Sequence, residues 1–242
     1  MKVAPKVIFL IRDADGFGTV ISDALQPNPN SSLRRLEESF ELSLQERYGI
    51  KDHKASGNIV HFVDEKGLYE VSLLLLQNYE PPILACVVNE VLASITGEDS
   101  STMPTVVFPF IVAASKLKWE GKSSLTNNKV SLYGIQIGPE TDVTRVMLAK
   151  TQKPPSTLQI HHESVACCLQ LIRVLKLPTF FLIGQCGRHT SSKALAEELE
   201  VIYEMGDLLS SISCLSFLRE RITWNPVKTS RDSEEPWRAL YG

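Results

Sequence analysis

Short apolar runs separated by turns rich in Gly, Pro, Asn and Asp set the outline of the chain. Lys6 to Ile11 reads as a buried strand, closed by Asp13-Ala14-Asp15-Gly16. Asn28, Pro29 and Asn30 then make a turn ahead of an expected amphipathic helix. Leu33, Leu36, Phe40 and Leu44 are spaced for one face of it, and Gly49 is its C-cap. Ile59 to Val63 and Leu68 to Leu76 flank Asp64-Glu65-Lys66-Gly67, the spacing of a hairpin with glycine in the turn. Pro81-Pro82 introduces an expected strand, Ile83 to Val88, which passes at Asn89 into a short helix through Ile95 closed by Gly97. Val106 to Phe110 is a further buried strand, in which Pro109 is tolerated only at the strand end or at a sheet edge. Lys118 to Lys129 reads as a surface loop, Ser131 to Ile137 as a weakly alternating strand, and Gly138 to Pro155 as an exposed excursion without defined form.

The last third has the clearest pattern. Ile160 to Leu175 is a helix with Val165, Cys168, Leu169, Ile172 and Leu175 inward, and Leu177-Pro178 stops it because a residue before proline is pushed out of the helical region. Thr179 to Ile183 is a strand without polar alternation, as expected of one covered on both faces. Thr190, Ser191 or Ser192 caps a helix whose Leu195, Leu199 and Ile202 share a stripe. A final helix is expected from about Asp207 to Ile222, with Leu208, Ile212 and Leu215 inward. Strand, helix, strand and helix in succession predict an α/β fold with a mainly parallel central sheet flanked by helices. The expected organisation is one domain over residues 1–224. A flexible, solvated tail over residues 225–242 follows, where Ser, Asp, Glu and Arg predominate.

Composition narrows the function classes. With 242 residues, 43% hydrophobic and 22% charged, the chain is an ordinary globular one with a sizeable core. A net charge of -3 with Lys and Arg scattered gives no electrostatic footprint for a nucleic acid, so none is expected as a partner. Cys86, Cys167, Cys168, Cys186 and Cys214 are odd in number and lack the paired short spacing of a zinc site, and most lie in apolar surroundings, which suits reduced core thiols. The apolar run Val7 to Ile11 is too short for a signal peptide or a membrane span, so no membrane association is expected and the expected location is cytoplasmic.

Four stretches invite a chemical reading. A hydrophobic strand that delivers Asp13 and Asp15 to a sheet edge resembles the opening motif of haloacid-dehalogenase-like phosphatases. The resemblance implies a nucleophilic first aspartate, a general-acid second one and bound Mg²⁺. Gly206-Asp207 would have to serve as that family's acidic end, but Leu208, Leu209 and Ser210 follow where a second carboxylate is wanted. Gly184-Gln185-Cys186-Gly187 stands between a strand and a helix, the context of a phosphate cradle. It lacks both the dinucleotide spacing and the Gly-Lys-Ser/Thr ending, and reads as a glycine-bearing turn. Cys186 and His189 have no evident orienting group for a thiolate and base. His161-His162-Glu163 opens a helix, and adjacent helical residues point about 100° apart, so the two imidazoles do not converge on one metal. No catalytic, metal or cofactor site is expected.

The final tripeptide, Leu240-Tyr241-Gly242, combines an apolar residue, an aromatic ring with a polar tip and a carboxylate, which is the form of a docking peptide. Three stretches together resemble the proteasome assembly chaperone 1 family, in its plant form. They are Leu68 to Leu74 with Ile83 to Asn89, Ala166-Cys167-Cys168 through Leu177-Pro178 to Leu182, and the hydrophobic-Tyr-any-residue terminus. The likeness runs from Leu68 to Gly242, and Met1 to Lys66 lies outside it. It implies a phosphorylase-like α/β sandwich without catalysis, a heterodimer with proteasome assembly chaperone 2, and binding to proteasome α-subunits during core-particle assembly in the cytoplasm or nucleus. On that resemblance Leu240 and Tyr241 enter a pocket between α-subunits and the Gly242 carboxylate meets a lysine. The alternatives are a Mg²⁺-dependent phosphatase using Asp13 and Asp15, or a nucleoside-handling relative that kept its activity.

Overall fold

In the computed structural model, residues 1–13, 15–96, 103–119, 130–186 and 192–223 are described. Val7 to Ile11 are all buried because β1 (Lys6–Ile11) lies in the middle of a sheet. α1 (Phe17–Ala24), β2 (Leu25–Pro27), β3 (Arg34–Ser43), α2 (Gln45–Tyr48), β4 (Lys54–Val63), β5 (Tyr69–Leu76) and α3 (Pro81–Thr96) follow. The chain continues through β6 (Thr105–Ala113), β7 (Leu117–Lys118), β8 (Ser131–Ile137), α4 (Asp142–Lys150) and β9 (Gln159–Ile160). It then forms α5 (Glu163–Leu175), β10 (Thr179–Cys186), α6 (Ser192–Ser213) and β11 (Leu215–Phe217). The seven-stranded sheet has the order β3-β4-β5-β1-β6-β10-β8. Its four central strands, β5, β1, β6 and β10, are parallel, while β4 and β8 run against their neighbours in the central set. This is the α/β architecture with helices on a largely parallel sheet that the sequence predicts.

Helices cover both faces. On one face Val7, Phe9, Leu74, Leu76, Phe108 and Phe181 meet α3 and α5 through Leu84, Val87, Val88, Val91, Val165, Cys168 and Ile172. Phe9 stacks on Phe108 at 4.6 Å, and Phe108 on Phe181 at 5.0 Å. On the other face Ile8, Leu10, Leu73, Leu75, Phe180 and Leu182 meet α1, α4 and α6 through Phe17, Ile21, Met147, Ile202, Met205 and Leu209. Successive strand residues point to opposite faces, so β1 and β5 are continuous apolar runs and not alternating ones.

Several elements differ from their sequence-based expectation. The predicted helix over Leu33 to Leu44 is β3, an edge strand paired antiparallel to β4, followed by the single turn α2 that Gly49 does cap, at φ 71. Leu36, Phe40 and Leu44 are four apart and therefore satisfy a period of two as well, and the odd positions Arg35, Glu37, Ser39, Glu41 and Ser43 are all polar. The predicted strand Ile83 to Val88 is instead the first half of α3. Leu84, Val87, Val88, Val91, Leu92 and Ile95 form one buried stripe, and Pro81 and Pro82 occupy the first turn, where their missing N–H groups cost nothing. The two predicted C-terminal helices are one helix, α6, of 22 residues. Gly206 does not break it: the glycine admits the ring of Phe217, whose atoms lie 2.2 Å from where a Cβ would stand. The helix ends at Ser213, Cys214 takes φ 58, and Leu215 starts β11, which pairs with β2.

Pro109 also departs from expectation, since β6 is an interior strand. Thr105 N–H donates to the Pro5 carbonyl and Val106 N–H to that of Pro178, so odd residues of β6 face β1. The β1–β6 ladder runs only from Lys6–Ile8 to Thr105–Val107, and the Pro109 nitrogen falls just past its end. β5 and β8 stand where the pattern predicts them, while β4 starts earlier, at Lys54, β10 continues past Ile183 to Cys186, and α5 starts at Glu163 because Ile160 pairs in β9; α4 lies inside the excursion of undefined form. Gly97, residues 120–129 of the surface loop, Thr190, Ser191 and the whole tail over residues 225–242 lie outside the described residues.

Candidate functional site

Strand order reverses at the β1/β6 junction. The chain after β1 builds β3, β4 and β5 on one side, and β6, β10 and β8 extend the other. In open α/β sheets such a switch leaves a crevice outside the carboxyl ends of the strands. Here Pro109 ends the pairing early, while Arg12 N–H still donates to the Leu76 carbonyl and holds the end of β1 beside β5. A cleft of about 110 Å³ opens there, lined by Asp13, Asp15, Phe17, Ile111, Ala113, Lys116, His162 and Cys186.

Each polar group arrives for a local reason. Asp13 Oδ1 accepts the Phe17 N–H at 2.8 Å, and Gly16 at φ 79 turns the chain into α1. His162 is the N-cap of α5, its Nδ1 accepting the Val165 N–H at 3.5 Å, and its ring centroid lies 6.2 Å from that of Phe110. Burial, reinforced by the positive charge of Lys116, pulls the His162 pKa down to about 4, so the imidazole is neutral at pH 7. Lys116 is tethered through its carbonyl, which accepts the His161 N–H at 2.7 Å beside the β7–β9 pair. Cys186 ends β10, where Gly184 lets α6 approach: a Cβ there would stand 2.5 Å from Val201 Cγ1. Gly184, Gln185 and Cys186 therefore belong to the strand and not to the expected turn, and the glycine serves the packing of α6 on β10. Gly187 and His189 lie outside the described residues.

Of the sequence candidates, Asp13, Asp15, Cys186 and His162 come together in this cleft. His162 opens its helix as the sequence predicts, and its ring is turned into the cleft beside Phe110. Asp207 does not join them; it is on α6, paired with Arg219. Among the described residues no group of three or more His, Cys, Asp and Glu is placed to hold a metal ion. Lys116 carried no signal in the sequence, since only the β7–β9 pairing brings it to the cleft. Leu240, Tyr241 and Gly242 lie outside the described residues. No described helix is long and apolar enough to cross a membrane.

A model of one protein family matches residues 1–242, the whole chain. The chain belongs to the DUF7894 family, a domain of unknown function. No curated protein matches this DUF7894 sequence. Among solved structures, the DUF7894 fold is similar to that of the protein of unknown function Rv2714 from Mycobacterium tuberculosis. The TM-score is 0.51 at 10% identity, over 89% of this chain and 72% of that one. A protein of unknown function from Corynebacterium glutamicum gives 0.51 at 10% identity, over 90% and 79%. PbaB from Pyrococcus furiosus, an archaeal proteasome activator, gives 0.51 at 8% identity, over 90% and 87%. At these identities the likeness is one of fold.

Proposed function

We propose that this DUF7894 protein is a non-enzymatic proteasome assembly chaperone. In this reading it forms a heterodimer with proteasome assembly chaperone 2 in the cytoplasm or nucleus and promotes assembly of the α-ring of the core particle. The observation that carries the reading is the combination of a fold similar to that of an archaeal proteasome activator with the tripeptide Leu240-Tyr241-Gly242. The sequence resemblance of Leu68 to Leu74 with Ile83 to Asn89, and of Ala166 to Leu182, supports the same assignment.

Docking on this proposal is the work of the tail. In this reading Leu240 and Tyr241 fill a pocket between neighbouring α-subunits, and a carboxylate at Gly242 pairs with a lysine at its floor. A partly desolvated, charge-assisted hydrogen bond of that kind contributes about 1.5–3 kcal/mol. Such a peptide binds weakly alone. Presented by a folded heterodimer beside a second tail, it gains effective concentration without new contacts.

Capture of α-ring intermediates tests the proposal, using the full chain co-expressed with chaperone 2. Tyr241→Ala, removal of the last three residues, and addition of one residue after Gly242 are each expected to weaken α-ring capture about tenfold or more. The heterodimer should persist in all three. Undiminished capture by the three variants would remove the tail from the mechanism, and failure of the intact chain to bind either partner would remove the chaperone reading itself.

A further inference from the structure

β3 is the outermost strand of the sheet, and among the described residues no strand pairs with its free edge. It runs 10 residues, without proline or glycine and in unbroken register with β4. Such an edge presents a regular row of backbone donors and acceptors to any strand that reaches it. Charged side chains commonly blunt edges of this kind. In Arg34-Arg35-Leu36-Glu37-Glu38, however, the signs are arranged antisymmetrically about Leu36: two positive charges, an apolar residue, two negative charges. Leu36 is 46% exposed, and within the strand Arg35 and Glu37 already form an ion pair at 2.8 Å.

We propose that β3 pairs antiparallel with β3 of a second copy of this chain, with Leu36 on the two-fold axis. In that register Leu36 meets Leu36, Arg35 of each copy faces Glu37 of the other, and Arg34 faces Glu38. Because side chains alternate between faces, a two-fold axis normal to the sheet must fall on a residue, which makes the alternatives few. An axis at Arg35 sets Arg35 against itself, and one at Glu37 or Glu38 sets a glutamate against itself. At Ser39 the axis opposes Glu37 to Glu41, and at Phe40 no ion pair forms. Only the axis at Leu36 puts every charge between Arg34 and Glu38 opposite its complement, the favourable cross-strand arrangement. The two faces then carry separate charge sets. Arg35 and Glu37 of both copies form an alternating ring on one, and Arg34 and Glu38 flank the paired leucines on the other. A ladder this short makes a weak, salt-sensitive contact. The inference does not rest on the proteasome reading and stands or falls separately.

Sedimentation velocity of the full chain over a concentration series tests it. A monomer–dimer equilibrium is expected at about 50 mM salt, weakened about fivefold or more at about 500 mM. The double variants Arg34→Glu with Arg35→Glu, and Glu37→Lys with Glu38→Lys, should each remain folded by circular dichroism and be monomeric alone, since each opposes like charges. Mixed in equal amounts, they should form a dimer again, because each supplies the signs that the other lacks. Independently, because Cys214 is exposed, Leu36→Cys in a Cys214→Ser background should give an intermolecular disulfide under mild oxidation that Cys214→Ser alone does not give. The proposal is overturned by a chain that is monomeric throughout, by dimers indifferent to both double variants, or by a mixture that stays monomeric. A dimer that appears only after removal of residues 224–242 would assign the edge to the chain's own tail and also overturn it.

Discussion

His162 holds the first turn of α5 and lines the cleft with the same ring. Its Nδ1 accepts the Val165 N–H, which requires the neutral tautomer, and burial beside Lys116 enforces that state by lowering its pKa to about 4. An unfolded imidazole titrates near 6.5. Between these values the unfolded chain binds a proton that the folded chain refuses, so this residue costs no stability above about pH 6.5 and progressively more as the pH falls towards 4. The loss approaches about 1.4 kcal/mol per pH unit in the middle of that window. His61, buried against Ser72 and also shifted down by desolvation, acts in the same direction. Urea unfolding at pH 7.5 and 4.5 should therefore show a stability drop in the natural chain that shrinks by roughly 1–3 kcal/mol in His162→Asn, which keeps a capping oxygen but does not titrate. An equal drop in both would show that His162 is not the group responsible. The sequence placed Asp13, Asp15, His162 and Cys186 at element ends but could not show that they share a cleft. That depends on which strands are neighbours.

Elements are held by their ends as much as by their faces. Thr141 and Thr144 cap α4 reciprocally: Thr144 N–H donates to Thr141 Oγ1 at 3.3 Å and Thr141 N–H to Thr144 Oγ1 at 2.9 Å. Thr105 Oγ1 of β6 donates to the same Thr141 oxygen at 3.2 Å, tying the cap to the sheet. Thr141→Ala should lower unfolding free energy by about 0.5–2 kcal/mol in chemical denaturation, with Thr141→Ser recovering most of it. No change on Thr141→Ala would mean that the cap is redundant. Legibility also varied by element. β1, β5, β10 and the second half of β4 are evident because turn residues bracket apolar runs, whereas the polar start of β4, Lys54 to Asn58, carries no such signal. β3 carries a helical pattern as well, because residues four apart fit both a helical face and a strand face, and α3 resembles a strand at its start because two prolines look like strand punctuation when they occupy a helix's first turn.

At the scale of the whole molecule, the sheet separates two cores, and neighbouring residues of one strand serve different ones. Leu73 is fully buried towards α1 and α6, and Leu74 fully buried towards α3 and α5. Both sides are close-packed by helices, so Leu73→Ala and Leu74→Ala should each cost about 2–5 kcal/mol in equilibrium unfolding. A loss below about 1 kcal/mol for either would indicate that its layer is loosely packed or detachable. The same arrangement fixes the cleft. It exists because β1 and β6 are neighbours near their starts and part after Ile8 and Val107, with Pro109 unable to extend the ladder.

What the sequence by itself determined was the α/β class, the buried central strands, the hairpin, α5 and its stop before Pro178. Each of these follows from local apolar runs and from residues whose backbone preferences act on their immediate neighbours. The tertiary structure alone decided the strand order, the strand identity of Arg34–Ser43, the unbroken passage of α6 through Gly206 and the meeting of Lys116 and His162 beside Asp13. Those depend on pairings between residues far apart in the chain, where a periodic pattern permits more than one partner and only packing selects among them.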